Sequence, residues 1–267
     1  MTIDWCSVPC FAGVAPAVLR RLNEAAHKHV YQAGATIFAE GQACAGFHVV
    51  TEGMVRIYRI SPEGRMHTLS LLRPLATFNE VAAVDGRANP YSATALTQTS
   101  VFRIAHEPFM ELLHQNPDLL RHYLQALAQV NREYIERLED MTFRTIPSRL
   151  AKLFLHESTY AIADMPSKLT QEDLASILGT TREVVGRAMR GLLNAGLLQR
   201  RGREVYIADR EGLAYLAETN EMPEAALVAV TSTGRKPRRA APAKGDPPHA
   251  QDRNADAQPQ PRQEHRR

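Results

Sequence analysis

Four side chains in one short stretch, Arg182, Glu183, Arg187 and Arg190, are of types and at spacings that could do chemistry together. Offsets of one, four and three place them on one side of a helix. An arginine donates two hydrogen bonds to O6 and N7 of guanine, and a glutamate accepts one from N4 of cytosine. A well-made contact of this kind discriminates between bases by about 1–3 kcal/mol. Thr180, Thr181 and Arg190 suit phosphate oxygens, which position a helix on a duplex without reading its sequence. The chemistry is therefore recognition of double-stranded DNA. The sequence has no phosphate-binding glycine loop, no nucleophile elbow and no His-Glu-x-x-His pair, so an enzyme is not expected, and no metal site is expected either.

These residues need a rigid support, and the surrounding residues supply one. Thr170 can cap a helix whose Asp173 reaches back to the free amides as in a capping box. Leu174, Ala175, Ile177 and Leu178 give that helix an apolar face. Gly179 permits a sharp turn at positive φ. Thr180 or Thr181 then caps a second helix, which buries Val184, Val185, Ala188 and Leu192 and stops at Asn194-Ala195-Gly196. Residues 197–207 read as a small hairpin with Arg200, Arg201 and Arg203 at its tip. The whole is the pattern of a winged helix-turn-helix, with the second helix in the major groove.

Upstream the period changes. Phe11, Val14, Val18, Leu19 and Leu22 predict a helical entry over 11–29. From 30 to 104, short strands alternate with turns at Gly34, Gly41, Gly46, Gly53 and Ser61-Pro62-Glu63-Gly64, which predicts a β-roll or jelly roll. From Pro108 the period is helical again. Leu120, Leu124, Leu127, Asn131, Tyr134, Leu138 and Met141 are spaced as a heptad seam, which predicts a homodimer, with Asn131 setting register. Residues 143–148 form the connection, and Pro147 can start the next helix. The fold class expected is α+β, divided into 1–107 (sensing β-roll with its entry helix), 108–142 (dimerisation helix), 143–220 (DNA-binding domain) and 221–267 (a disordered basic tail).

The net charge of +3 says little by itself, but its distribution is uneven. From Thr231 onward nine Lys and Arg face four Asp and Glu, including the run Arg235-Lys236-Pro237-Arg238-Arg239, so the rest of the chain is near −2. DNA affinity must come from a local basic face, and the tail reads most simply as dispensable. There is no apolar stretch of membrane-spanning length and no secretory leader pattern, which predicts a cytoplasmic protein without a membrane partner.

The run Thr181-Arg182-Glu183-Val184-Val185-Gly186-Arg187 resembles the recognition helix of the cyclic-AMP receptor protein and fumarate–nitrate reduction regulator family. Residues 34–41 and 47–58 are similar to that family's effector domain, and the similarity runs from about Phe11 to Leu216. The Arg-Glu-x-x-Gly-Arg pattern is closer to the cyclic-AMP receptor branch. The resemblance implies a cyclic-nucleotide-binding-like β-roll, a long dimerisation helix and a winged helix-turn-helix. It also implies a homodimer reading an inverted repeat similar to TGTGA-N6-TCACA, with Arg182 and Arg187 on guanines and Glu183 on a cytosine, under a small-molecule effector and with RNA polymerase as partner.

The family's nucleotide cassette is Phe-Gly-Glu followed by Arg-Ser/Thr-Ala, and here the corresponding positions are Asn79, Glu80, Tyr91 and Ser92. Glu80 is kept, but a tyrosine replaces the arginine that would pair a buried cyclic phosphate, which argues against cyclic AMP. No cofactor is assigned. Alternatives are a redox or metal sensor using Cys6, Cys10 and Cys44, a haem sensor using His48 and His67, or a ligand-binding module without DNA reading. Three cysteines cannot supply a four-Cys cluster within one subunit.

Overall fold

The computed structural model describes residues 3–155, 169–202 and 204–223. Arg203 at the wing tip and the tail beyond Pro223, with their expected roles, lie outside the described residues. The chain enters through two 3-10 turns and α1 (Pro16–Ala25), shorter than the helix expected over 11–29 because the chain is already extended at His27. Eight strands follow: β1 (His27–Tyr31), β2 (Thr36–Phe38), β3 (Phe47–Glu52), β4 (Val55–Ile60), β5 (Met66–Leu72), β6 (Thr77–Phe78), β7 (Ser92–Ala95) and β8 (Thr99–Ile104), with α2 (Glu80–Asp85) between β6 and β7. They form two antiparallel four-stranded sheets, ordered β1-β8-β3-β6 and β2-β7-β4-β5. This is the expected β-roll. Gly64, at φ 79°, closes the β4–β5 hairpin, where Gly64 N–H donates to Ser61 O at 2.9 Å.

Strand β3 is buried on both faces, so its residues sort by parity. Phe47 and Val49 join the core under α1 and the helices that follow β8, together with Phe11, Leu22 and Phe102. Val50 points between the sheets, with Phe38, Val55, Ile57, Phe78, Tyr91 and Val101. His48 lies on that side too, stacked on Phe78 at 4.8 Å between ring centroids and against Phe38 at 5.4 Å.

The helix expected over 108–142 is two helices, α3 (His106–Gln115) and α4 (Pro117–Phe143). Proline clashes with a continuing helix before it but is well tolerated in a first turn, so the chain breaks at Asn116 and restarts at Pro117. Asn116 Nδ2 donates to Leu112 O at 2.7 Å, which satisfies one of the last carbonyls of α3. The α4 helix is about 40 Å long at about 1.5 Å per residue.

Arg144 and Thr145 connect α4 to α5 (Ile146–Leu155), in which Pro147 occupies the first turn as expected. The DNA-binding domain continues with α6 (Gln171–Leu178), α7 (Arg182–Asn194), β9 (Leu198–Arg201), β10 (Glu204–Ile207) and α8 (Arg210–Thr219). Its core unites Leu150, Leu153, Leu174, Ile177, Val185, Met189, Leu192, Leu197 and Leu213, and takes in Leu71 from β5 of the β-roll. Among the described residues no helix is long and apolar enough to cross a membrane.

Candidate nucleic-acid interface and effector site

The capping box expected on α6 is complete. Asp173 N–H donates to Thr170 Oγ1 at 3.1 Å, and Thr170 N–H donates to Asp173 Oδ2 at 3.0 Å. Gly179 ends the helix at φ 62° and turns the chain into α7. Of the two candidate caps it is Thr181 that serves, its Oγ1 accepting from Val184 N–H at 3.5 Å. Gly196, at φ 73°, follows the last turn; of the residues expected on the buried side, Val184 is only partly buried, because it lies at the edge of the face that borders a groove with Ile146, Leu216 and Met222.

One face of α7 packs through Val185, Ala188, Met189 and Leu192. The other presents Arg182, Glu183, Arg187 and Arg190 to solvent, with Thr180 half-buried and Thr181 exposed at its start. Gly186 is buried beside the Gln171 side chain of α6, where a Cβ would make an ordinary contact. A hydrogen bond from the Glu183 backbone N–H, then one from Thr181, holds the Glu183 carboxyl below the usual range. Ionised, it is an acceptor only, as hydrogen bonding to cytosine N4 requires. On the hairpin, the Arg201 guanidinium lies 5.8 Å from the Tyr206 ring centroid, and Arg200 and Arg201 are exposed.

The helix-turn-helix is docked on the β-roll. Arg56 of β4 pairs with Asp173 of α6 at 2.7 Å, Thr68 of β5 shares a 2.7 Å hydrogen bond with Ser176, and His67 Nδ1 lies 2.9 Å from Ser176 O. Arg137 of α4 donates to Leu69 O at 2.5 Å. Asp140 of α4 accepts from Arg144 at 2.7 Å and from Lys152 of α5 at 2.5 Å, clamping the connection from both sides. A cleft of about 480 Å³ remains between β5, α4, α5 and α6, lined by His67, Tyr134, Leu138, Met141, Leu153 and Ile177 among others. The orientation of the helix-turn-helix is therefore set by contacts to the β-roll that sequence spacing did not reveal.

The structure divides the expected seam on α4. Leu120 and Leu127 pack partly on the core of their own β-roll. Leu124, Asn131, Tyr134, Leu138 and Met141 are exposed, Leu138 by 65%, and Ile135, outside the expected set, is 52% exposed. The exposed stripe runs Leu124, Ala128, Asn131, Ile135, Leu138 and Thr142, spaced four and three. Tyr134 and Met141 turn toward the cleft.

At the effector position, Asn79 is buried at φ 64°, a left-handed conformation that Asn tolerates and that explains why Gly can be replaced there. Asn79 N–H donates to Tyr91 Oη at 2.6 Å, and Asn79 Nδ2 donates to Gly46 O and Asn89 Oδ1, both at 3.0 Å. Asn79 Oδ1 has no hydrogen-bond partner among the described residues. Ser92 Oγ accepts from Glu40 N–H at 3.0 Å. Glu80 accepts from Thr77 Oγ1 at 2.6 Å; burial pushes its carboxyl above the usual range, and the Thr77 bond pulls the other way. The two departures from the nucleotide cassette thus bond to each other. Arg87 points to solvent near Asp85, 3.9 Å away. Tyr91, an uncharged side chain, stands at the position of the cassette's arginine.

The cysteine and histidine alternatives find no shared site. Cys6 is exposed, Cys44 is partly buried with its Sγ 3.0 Å from Ala82 O, and burial pushes the Cys10 thiol up to about 12, so Cys10 carries no thiolate at neutral pH. His67 sits at the domain contact and His48 inside the β-roll, and no group of three or more potential ligands suited to a metal occurs among the described residues. Burial lowers His48 from 6.5 to about 3, while its hydrogen bond to Gly46 O raises it. The folded state therefore keeps His48 neutral where the unfolded chain binds a proton, so stability falls as pH drops from about 6.5 toward 3. Thermal melts across this window are expected to show a steep acid limb that His48→Phe flattens. An identical limb in the variant would place the acid sensitivity elsewhere.

Residues 28–116 match the model of the cyclic nucleotide-binding domain, and residues 148–216 match that of the Crp-like helix-turn-helix domain. The CRP-like cAMP-activated global transcriptional regulator of Mycobacterium tuberculosis is 28% identical over 210 residues, 76% of this chain and 94% of that protein. The transcriptional regulator SdrP of Thermus thermophilus is 31% identical over 175 residues, 64% of this chain and 83% of that protein. A solved CRP/FNR-family transcriptional regulator from Thermus thermophilus superposes with a TM-score of 0.60 at 26% identity, covering 73% of this chain and 100% of that one. A crp/fnr-family regulator from Eubacterium rectale shares the fold, with a TM-score of 0.66 at 21% identity over 79% of this chain and 98% of that one.

Proposed function

Because the chain belongs to the Crp/Fnr family of transcription regulators, we propose that it acts in the cytoplasm as a homodimer reading an inverted repeat similar to TGTGA-N6-TCACA. The observation that carries this reading is the solvent-facing set Arg182, Glu183 and Arg187 in the opening turns of α7. In each half-site Arg182 and Arg187 contact guanines, Glu183 accepts from a cytosine, and Thr180, Thr181 and Arg190 hold phosphates. The exposed stripe of α4 joins the protomers and sets two reading helices about 34 Å apart, one turn of DNA. RNA polymerase is the partner that turns site occupancy into altered transcription.

The β-roll responds to a small molecule other than cyclic AMP, since Tyr91, uncharged and accepting from the Asn79 N–H, stands where a cyclic phosphate would need a cation. An effector switches the protein only by binding one arrangement of the two domains better than another. The contacts Arg56–Asp173 and Thr68–Ser176 are the ones it must keep or break.

Fluorescence anisotropy with a duplex of about 40 bp carrying the repeat tests the sequence reading. Exchanging either guanine of each half-site for adenine is expected to weaken binding by about 1–3 kcal/mol per changed contact, while changes in the six-base spacer have smaller effects. Equal affinity for all these duplexes would leave a DNA-binding protein without the proposed readout.

A further inference from the structure

We propose that the cleft between the β-roll and the helix-turn-helix is a second ligand site, built for an uncharged and mostly apolar small molecule that binds only while the two domains are docked. The site is distinct from the position of Asn79 and Tyr91, and the inference depends neither on that effector reading nor on the operator sequence. Its first support is the cavity itself. A volume of about 480 Å³ falls in the range of small-molecule sites, which are concave, largely apolar and furnished with a few polar groups. Its walls come from both domains: His67 of β5 with Tyr134 and Met141 of α4 on one side, Leu153 of α5 and Ile177 of α6 on the other. Tyr134 and Met141 stay exposed there, off the stripe of Asn131, Ile135 and Leu138. At about 3.6 residues per turn, Glu133, Glu136 and Asp140, which also line the cleft, fall opposite that stripe. A second protomer seated on the stripe therefore does not cover this side of the helix.

The second support is the charge of the lining. Three carboxylates, Glu133, Glu136 and Asp140, stand against three cations, Arg137, Arg149 and Lys152. The cations are engaged: Arg137 donates to Leu69 O at 2.5 Å, Arg149 to Leu178 O at 2.7 Å, and Lys152 to Asp140 Oδ2 at 2.5 Å. Glu133 and Glu136 are exposed and keep their water. Neither sign of ligand charge is offered a buried counter-charge, so a neutral molecule enters at the lowest cost. His67 Nδ1 lies 2.9 Å from Ser176 O; donating there, the neutral ring keeps Nε2 as an acceptor for one ligand N–H or O–H. Because the walls belong to two domains, a bound molecule touches both only while Arg56–Asp173 and Thr68–Ser176 hold them together. Such a ligand has the differential affinity for two arrangements that switching requires.

The test titrates the full-length protein, without DNA, with N-phenyl-1-naphthylamine, a neutral apolar dye with one N–H that brightens on leaving water. Its sulfonated analogue, 1-anilinonaphthalene-8-sulfonate, adds a charge that must be desolvated, and is expected to bind about tenfold more weakly. The neutral dye is expected to saturate at one molecule per chain. Met141→Trp fills the cleft and Tyr134→Ala removes part of a wall; each is expected to weaken the dye by about tenfold, with thermal melts confirming the fold. Arg56→Gln combined with Ser176→Ala loosens the docking and is expected to weaken it by a similar factor, about tenfold. Absence of saturable binding would overturn the proposal. So would binding that Met141→Trp and Tyr134→Ala leave unchanged, which would place the dye elsewhere, or binding indifferent to loosened docking. A sulfonate that binds as tightly as the neutral dye would overturn the ligand class.

Discussion

Replacing Arg187 with alanine is expected to abolish sequence-specific binding while the fold and the affinity for scrambled duplex stay close to those of the parent protein. The side chain projects from an exposed turn of α7, so its removal leaves the core formed by Val185, Met189 and Leu192 intact. Its stem does border the groove with Met222, which limits the stability cost to lost surface packing. A bidentate contact to guanine is worth about 1–3 kcal/mol of discrimination, and a two-fold dimer makes it twice. The expected loss on the inverted repeat is therefore about 2–6 kcal/mol, roughly thirty- to twenty-thousandfold. Arg187→Lys separates readout from attraction. It keeps the charge but not the planar fork, and is expected to lose most of the discrimination while keeping the salt dependence. Anisotropy on specific and scrambled duplexes, with a thermal melt as control, checks both variants. An Arg187→Ala protein that still prefers the repeat would remove this residue from the reading set.

The second large effect is expected from Ile135→Glu combined with Leu138→Glu. Both side chains are more than half exposed in the single chain, so the monomer's own core does not depend on them. Large apolar side chains repeated along one helix face mark an association surface, and carboxylates at adjacent seam positions would face their own copies across a two-fold axis. The variant is expected to sediment as a folded monomer. Its affinity for the inverted repeat should fall by about a hundred- to ten-thousandfold, because the second half-site is no longer held at high effective concentration. A variant that remains dimeric would move the interface off this stripe. A monomer that binds as tightly as the parent would detach dimerisation from recognition.

What was legible in the sequence was what local chemistry dictates. Thr170 with Asp173, Gly179, Thr181 and Gly196 each report a backbone requirement met within a few residues, so the helix-turn-helix could be placed before any contact was known. The β-roll followed from glycine turns and alternation in the same way. Parity could also have been read further: Phe47-His48-Val49-Val50 is a continuous run suited to a doubly buried strand, and it puts His48 inside.

What was not legible depended on long-range packing. The α4 helix carries apolar residues on two stripes, and periodicity alone does not say which one its own domain takes. The β-roll core takes Leu120 and Leu127 and leaves Ile135 outside. The bond from Asn79 N–H to Tyr91 Oη joins positions read separately as departures from a cassette, and only the structure brings them together. The docking of Asp173 and Ser176 onto Arg56 and Thr68 spans more than a hundred residues, with no periodic signal to announce it. It determines how α7 is presented.

Selection of bound duplexes from a random pool by the purified full-length protein tests the central claim most directly, because it presumes no operator. The account predicts enrichment of an inverted repeat with guanines in each TGTGA-like half, the half-sites centred about one helical turn apart. Recovery of duplexes without a repeat, or of half-sites lacking those guanines, would contradict the assignment of Arg182, Glu183 and Arg187 as the residues that read DNA.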